Sequence, residues 1–458
     1  MVLFPSNVDS ISSTPGLPVQ SPNQQLLPLT AQTNLQGHLV IGGCDVVDLV
    51  EQFGSPLYIL DETTLRQGCQ HYQQGMKQFY PGDFQVLYAS KAWNCLATCA
   101  IVASEGLGID VASGGELYTA LQAGVNPDKI YFHGNNKSLT ELELALGNGC
   151  AIVADNWLEL QRLATLADQF PSPPRVMLRL TPGIECHTHE YIRTGHLDNK
   201  FGFDPNQLEP LLEFASKHPQ IHWLGFHAHI GSQIFELQPH TDLSAVLVDW
   251  LVQAKAAGLG MNELNVGGGL GIRYLESDQP PSITEWVKTV TTGIIAACQS
   301  RNLPLPKLLC EPGRSLVGPA GLTAYRMGGR KDVPGIRTYV AVDGGMSDNP
   351  RPITYQAVYR AVVGNHMAAP LAETVTIAGK HCESGDVLIK DIQLPATQPD
   401  DIFVVLTTGA YNYSMASNYN RLTRPAAVLV KEGEANLILR RETYSDLLRQ
   451  DVLPQRLV

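Results

Sequence analysis

Residues 261–272 read MNELNVGGGLGI, and a second stretch close behind, residues 306–315, reads PKLLCEPGRS. Each is a short apolar run that ends abruptly in glycine or charge. Runs of this length without alternation of polar and apolar residues fit parallel strands covered on both faces. The same unit recurs upstream, at 85–90, 107–111, 129–133, 150–154, 175–180 and 222–227, with helix-like stretches such as 115–123 and 156–168 in between. Eight β-α units over about 230 residues have the size and order of an α/β fold of the (β/α)8 TIM-barrel type, which takes roughly 250.

The chain has 458 residues, more than the roughly 250–300 that one core supports, so a second domain is expected. After about residue 335 the texture changes to strand-like runs at 338–342, 373–378, 401–406, 426–431 and 435–439, separated by Gly, Asp and Asn. That pattern predicts a C-terminal β-sandwich or β-barrel domain. The extended segment 39–60 (HLVIGG, then SPLYILD) is expected to complete it. Residues 1–37 are rich in Pro, Gln, Ser and Asn and carry one charged residue, Asp9. They read as a disordered leader with neither the basic start nor the apolar run of a targeting peptide, so a cytoplasmic location is expected. The expected division is a leader at 1–37, a barrel at 63–334, and a β domain made of 38–62 and 335–458.

Lys and Arg total 32 against 44 Asp and Glu, and a net charge of -12 argues against a nucleic-acid surface, which would be basic. No apolar stretch reaches the roughly 18 residues of a membrane span. The nine cysteines are scattered and contain no C-x-x-C pair, which fits a reducing compartment without disulfides or a metal site.

Barrels of this type carry their chemistry at the C-terminal strand ends. Here those ends are Lys91, Asp110, His133 (followed by Asn135, Asn136 and Lys137), Arg179, His227 with His229, Gly267 to Gly269, and Glu311 with Arg314. Three successive glycines let backbone N–H groups approach an anion, and a helix N-terminus behind them is expected to favour negative charge. The run matches neither G-x-G-x-x-G nor the P-loop, so a phosphorylated cofactor is favoured over a dinucleotide. Lys91 follows an apolar strand, where desolvation is expected to lower its pKa and free an amine for Schiff-base formation. With Glu311 to pair with a pyridinium nitrogen and His229 to stack on a ring, the set meets the needs of pyridoxal phosphate. The competing use of His227 and His229 as a metal pair is disfavoured by the glycine turn beside them, and the His187-x-His189 pair lacks a carboxylate set. No metal is expected.

The ordered motifs LYASKAW, DVASGGEL, HGNNKS, GFHAHIGSQ, NVGGGLGI, EPGRS, VDGGMSDNPRP, CESGD and GAYNYSMASNYN resemble the diaminopimelate decarboxylases, pyridoxal-phosphate enzymes with an alanine-racemase-like barrel and a β domain. The resemblance covers about residues 40–455. It implies that Lys91 carries the cofactor, with Asp110, His229, Ser232, Gly267, Gly268, Gly269, Glu311, Gly313, Arg314 and Tyr411 around it. It implies Arg314, Arg351, Tyr355, Glu383 and Tyr411 as substrate-binding residues and Cys382 as the proton donor. It further implies a homodimer in which Cys382 and Glu383 enter the partner's site. The implied reaction takes meso-2,6-diaminopimelate to L-lysine and CO2, the last step of lysine biosynthesis. Ser90 and Trp93 beside the lysine, and Ser347 before Asp348, depart from the family's usual residues.

Overall fold

The computed structural model describes residues 21–184 and 198–457. Eight parallel strands close into a barrel: Phe84–Ala89, Gly108–Val111, Ile130–Phe132, Ala151–Ala154, Arg175–Arg179, His222–His227, Glu263–Asn265 and Lys307–Cys310. The last returns to the first with Cys310 opposite Val86. All eight expected strands are present. Leu87, Tyr131, Ala151, Val153, Met177, Leu224 and Leu309 fill the interior. The opposite faces of the strands pack on the helices, so both sides are apolar and no alternation appears in the sequence.

The helices begin where short polar side chains cap them. Ser113 caps Gly114–Gln122, Asn156 caps Trp157–Leu166, and Ser138 with Glu141 and Ser282 with Glu285 form reciprocal capping boxes on Leu139–Gly147 and Ile283–Ser300. Each cap accepts a backbone N–H that the first turn cannot satisfy, worth about 1 kcal/mol. Trp286, 1% exposed, anchors the helix Ile283–Ser300 edge-on against Tyr72 at 5.9 Å.

The second layer is a nine-stranded sheet. The early strand Leu57–Asp61 lies inside it, parallel to Ala426–Lys431 and antiparallel to Gly321–Val333. The expected completion of the β region by an early segment is thus observed. Its expected start at 335 needs correction, because Gly321–Val333 already belongs to this sheet. Its apolar half, GLTAYRM, is indistinguishable in composition from one more barrel element. Ala361–Val363 and Val387–Leu394, neither anticipated from sequence, are additional strands of the same sheet.

A second correction concerns the leader, of which residues 1–20 lie outside the described residues. Residues 21–37 are ordered: Pro22–Gln24 is a short 3-10 helix, and Gln32–Thr33 pairs with Leu39–Ile41. Asn23 is fully buried, and its amide donates to the carbonyls of Gly271 at 3.1 Å and Pro281 at 2.9 Å. Its own carbonyl accepts from the Arg273 N–H at 2.9 Å. Composition cannot reveal such anchoring, because the partners lie about 250 residues away. Truncating Asn23 orphans two carbonyls in the interior, at about 1–3 kcal/mol. Asn23→Ala should therefore lower the unfolding free energy by that amount, read in equilibrium unfolding as a lower denaturant midpoint at unchanged slope.

Candidate active site

Glu311 ends the eighth barrel strand and is buried at the C-terminal mouth. Its carboxylate is gripped from three strands. His133 Nε2 lies 2.8 Å from Oε1, His227 Nε2 lies 3.2 Å from Oε2, and Asn265 Nδ2 donates to Oε1 at 2.6 Å. Burial alone would raise its pKa, but His133 and His227 outweigh burial and hold the group well below the usual carboxylate range. The His133, His227 and Glu311 ligand atoms lie within 4.8 Å of one another, a spacing a metal ion could use. However, both Glu311 oxygens are already committed to protein donors. His229, the other member of the disfavoured metal pair, turns to the Gly268 N–H instead; His187 and His189 lie outside the described residues.

Asn265 also orders the glycine turn, its Oδ1 accepting the Gly267 N–H at 2.9 Å. Gly267 has φ +66°, and a Cβ there would meet His229 Nδ1 at 2.6 Å. At Gly268 a Cβ would stand 2.2 Å from the Glu311 carbonyl oxygen. The run is therefore required by close approach of the neighbouring strand ends, as well as available to an anion. The Gly268 N–H donates to His229 Nδ1 at 3.2 Å, which places the ring proton on Nε2. Burial, reinforced by Lys91 and Arg179, holds His229 well below its ordinary pKa, so the imidazole is neutral. The expected helix N-terminus behind the glycines is not there, since the next helix starts at Ile283. Irregular chain through Tyr274 takes its place.

Lys91 sits in the short 3-10 helix Ser90–Ala92 after the first strand, its side chain reachable by solvent yet closely surrounded by protein. The expected lowered pKa is overturned. Burial does pull it down, but Asp110, Tyr411 and Glu311 outweigh that and raise it. Sequence shows the apolar strand before the lysine and hides the carboxylates that converge from strands two and eight. Asp110 is buried, 3.8 Å from His133 Nε2, and burial raises its pKa. Trp93 is fully buried against Tyr413 at 5.5 Å and edge-on to Tyr58 at 5.6 Å, and Ser90 Oγ donates to Glu116 at 3.3 Å, which accounts for the two unusual neighbours of Lys91. Gly313 has no room for a side chain, since a Cβ would stand 3.0 Å from Ala89 Cβ. The Tyr411 N–H donates to the Ala92 carbonyl at 2.7 Å, tying the C-terminal region to the lysine turn.

Arg314 donates to Ser232 Oγ through Nε at 3.2 Å and Nη2 at 2.9 Å, and to the Tyr274 hydroxyl through Nη1 at 2.7 Å. Arg351 donates through Nη1 to Tyr274 at 3.0 Å and Tyr359 at 2.7 Å, and its guanidinium carbon lies 5.9 Å from the Tyr355 ring centre. Neither arginine has a carboxylate partner among the described residues. Two buried cations with only hydroxyl partners form an anion site. By contrast, Lys137 is spent on structure, bonded to Glu159 and to the Gly134 and Val153 carbonyls.

Cys382 and Glu383 are exposed on the loop between Glu373–Ala378 and Val387–Leu394. No hydrogen bond or ion pair among the described residues joins them to the barrel mouth. The loop is held by Asp386, which accepts from the Met346 and His381 N–H groups and pairs with His381 Nδ1 at 2.7 Å, while Asn420 Oδ1 accepts the Cys382 N–H. His133 and His227 stand at strand ends as expected, although their hold on Glu311 was not foreseen; the residues missed from sequence are Asn265, Tyr274, Tyr359, His381, Asp386 and Asn420, which position others. For Asn265 a signal existed, as a polar residue at a strand end.

A barrel with a lysine, a clasped carboxylate and a glycine turn at one mouth defines a pyridoxal-dependent decarboxylase of the barrel type. Residues 65–318 match the family model described as pyridoxal-dependent decarboxylase, pyridoxal binding domain. The chain is 63% identical over 99% of its length and 98% of the relative's to the diaminopimelate decarboxylase of Synechocystis sp., and 46% identical over 92% and 97% to that of Bacillus subtilis. A crystal structure of diaminopimelate decarboxylase from M. jannaschii in complex with L-lysine superposes with a TM-score of 0.88 at 33% identity, covering 96% of this chain and 100% of the other. The chain belongs to the diaminopimelate decarboxylase family of carboxy-lyases. Among the described residues no helix is long and apolar enough to cross a membrane.

His227 is pushed down to about 3 by burial, and so is His240, which backs the glycine turn and accepts from Trp286 Nε1 at 3.1 Å. Both stay neutral in the fold, whereas an unfolded histidine takes a proton below about 6.5. Stability should therefore fall as pH drops from about 6.5 toward 3, by up to about 1.4 kcal/mol per pH unit for each residue. Denaturant titrations at two acidic pH values check this, and His240→Gln should remove one residue's share of the slope.

Proposed function

We propose that this chain binds pyridoxal phosphate and decarboxylates meso-2,6-diaminopimelate to L-lysine and CO2. The observation that carries the reading is the pair of buried arginines, Arg314 and Arg351, without a counter-carboxylate among the described residues, joined through Tyr274 and tied to the Lys91 turn by Arg314 lying over the Tyr411 ring. The donor set fits the cofactor. Glu311 is an ionised carboxylate ready for a protonated ring nitrogen, His229 offers a neutral ring, and the Gly267–Gly269 backbone with Ser232 and Arg314 suits a phosphate. Lys91 would carry the cofactor covalently. When bound, pyridoxal phosphate supplies the electron sink for the charge left on the α-carbon as CO2 departs.

The chain's own residues do the rest. Glu311 keeps the ring nitrogen protonated because His133, His227 and Asn265 keep Glu311 ionised. Arg351 and Tyr355 receive the distal carboxylate, and Tyr411 borders cofactor and substrate. Glu383 takes the distal ammonium, and the Cys382 thiol gives its proton to the α-carbon. Both loop residues would act across a homodimer, since each is exposed on its own chain. A lysine or ornithine substrate would leave Arg351 unpaired, and sites built on such pairing reject analogues by up to about 10^4–10^5.

Protein loaded with pyridoxal phosphate should show a visible absorbance band that borohydride bleaches, absent in Lys91→Ala, and should release CO2 and lysine together from meso-diaminopimelate. Faster turnover of ornithine would overturn the substrate assignment. Cys382→Ala should keep the band and lose about 10^2- to 10^4-fold in kcat, the share of one acid. Mixing inactive Lys91→Ala and Cys382→Ala proteins should restore part of the activity if the site is shared. No recovery despite measured subunit exchange would show a self-contained site.

A further inference from the structure

We propose that Tyr274 is a substrate-binding residue, whose hydroxyl ties Arg314 to Arg351 and donates its proton to the distal carboxylate of the substrate. The inference rests on the proposed reaction and deepens it. A tyrosyl hydroxyl has one proton to give and two lone pairs to fill. Arginine only donates, so the Nη1 groups of Arg314 at 2.7 Å and Arg351 at 3.0 Å occupy both lone pairs. The proton must then point at a third group. No described residue accepts it, and the Tyr359 ring stands edge-on, its centre 5.4 Å away.

The remaining donors complete a fork. Arg351 spends Nη1 on Tyr274 and Tyr359, which leaves its Nε and Nη2 edge for two parallel bonds to a carboxylate. The Tyr274 proton adds a donor from the side of Arg314. The ring is delivered rigidly: the N–H groups of Tyr274 and Leu275 both donate to Asp278 Oδ2 at 2.9 Å, and the preceding Arg273 N–H is fixed to the Asn23 carbonyl. Tyr274 as a residue is buried, 8% exposed, so an unanswered hydroxyl proton would be costly in the absence of an anion. The ligand class that satisfies it is an amino acid with a carboxylate at the end remote from the reacting carbon.

The test uses the cofactor-loaded protein and its Tyr274→Phe variant. The product L-lysine keeps the distal carboxylate, and cadaverine has the same chain without it. Calorimetry should show L-lysine binding weakened about 10- to 100-fold in the variant, the range for a hydrogen bond to a charged group, with cadaverine unchanged. The KM for meso-diaminopimelate should rise by a similar factor while kcat moves far less. Unchanged L-lysine binding would overturn the proposal, as would equal losses for lysine and cadaverine, which mark a packing role. Failure of the unmutated protein to decarboxylate meso-diaminopimelate would overturn the proposed reaction itself, a result independent of the variant.

Discussion

An ionised carboxylate inside the mouth of an apolar barrel is the constraint on which the site depends. Removing such a charge from water costs several kcal/mol unless donors surround it. Glu311 meets that demand with His133, His227 and Asn265, drawn from the third, sixth and seventh strands. Asn265 then passes the order onward, because its amide donates to Glu311 while its oxygen receives the Gly267 N–H. The turn so formed directs the Gly268 N–H at His229 and fixes that ring's tautomer. One charge thereby determines the strand-end residues, the glycine turn and the orientation of the imidazole above it.

The same charge governs Lys91. An amine at the end of an apolar strand would be expected to lose its proton easily, yet Asp110, Tyr411 and Glu311 hold the proton on it. In the protein alone, Lys91 and the buried carboxylates offset one another. A cationic ring nitrogen at Glu311 would take over that compensation, and the amine would then be freed where it is needed. The net charge of -12 plays no part, since fields at this depth come from groups a few ångströms away.

The barrel was legible because strands packed on both faces leave continuous apolar runs, a signal local to each strand. The same uniformity hid Gly321–Val333, whose apolar half could equally have been another barrel element. Residues 21–37 misread in the opposite direction. Their composition is that of a disordered segment, but Asn23 is ordered by carbonyls of residues 271 and 281. The residues proposed to touch ligands sit at strand ends and in motifs, so the sequence offers them as candidates. Those that hold other side chains, such as Tyr359 beside Arg351 or Asp386 beside Cys382, carry no period and became visible only when distant segments met.

The two halves of the site differ in how they are finished. At the barrel mouth Glu311 and the glycine turn are answered by groups of the same chain, while the Tyr274 proton and the outer edge of Arg351 meet no partner among the described residues. The Cys382 loop is equally well built, with Asp386, His381 and Asn420 fixing its backbone and His381 stacked on Tyr419 at 6.0 Å. Yet its thiol and the Glu383 carboxylate face outward. A loop whose backbone is fixed by the buried Asp386 carboxylate and the His381 ring is costly to move. On the shared-site reading proposed above, the reactive carbon would come to the loop on a second copy's surface rather than the loop moving to it. Exposed apolar side chains at Ile353, Met415 and Tyr419 lie in the segments that support it, and apolar area of this kind gives such a surface a reason to dock.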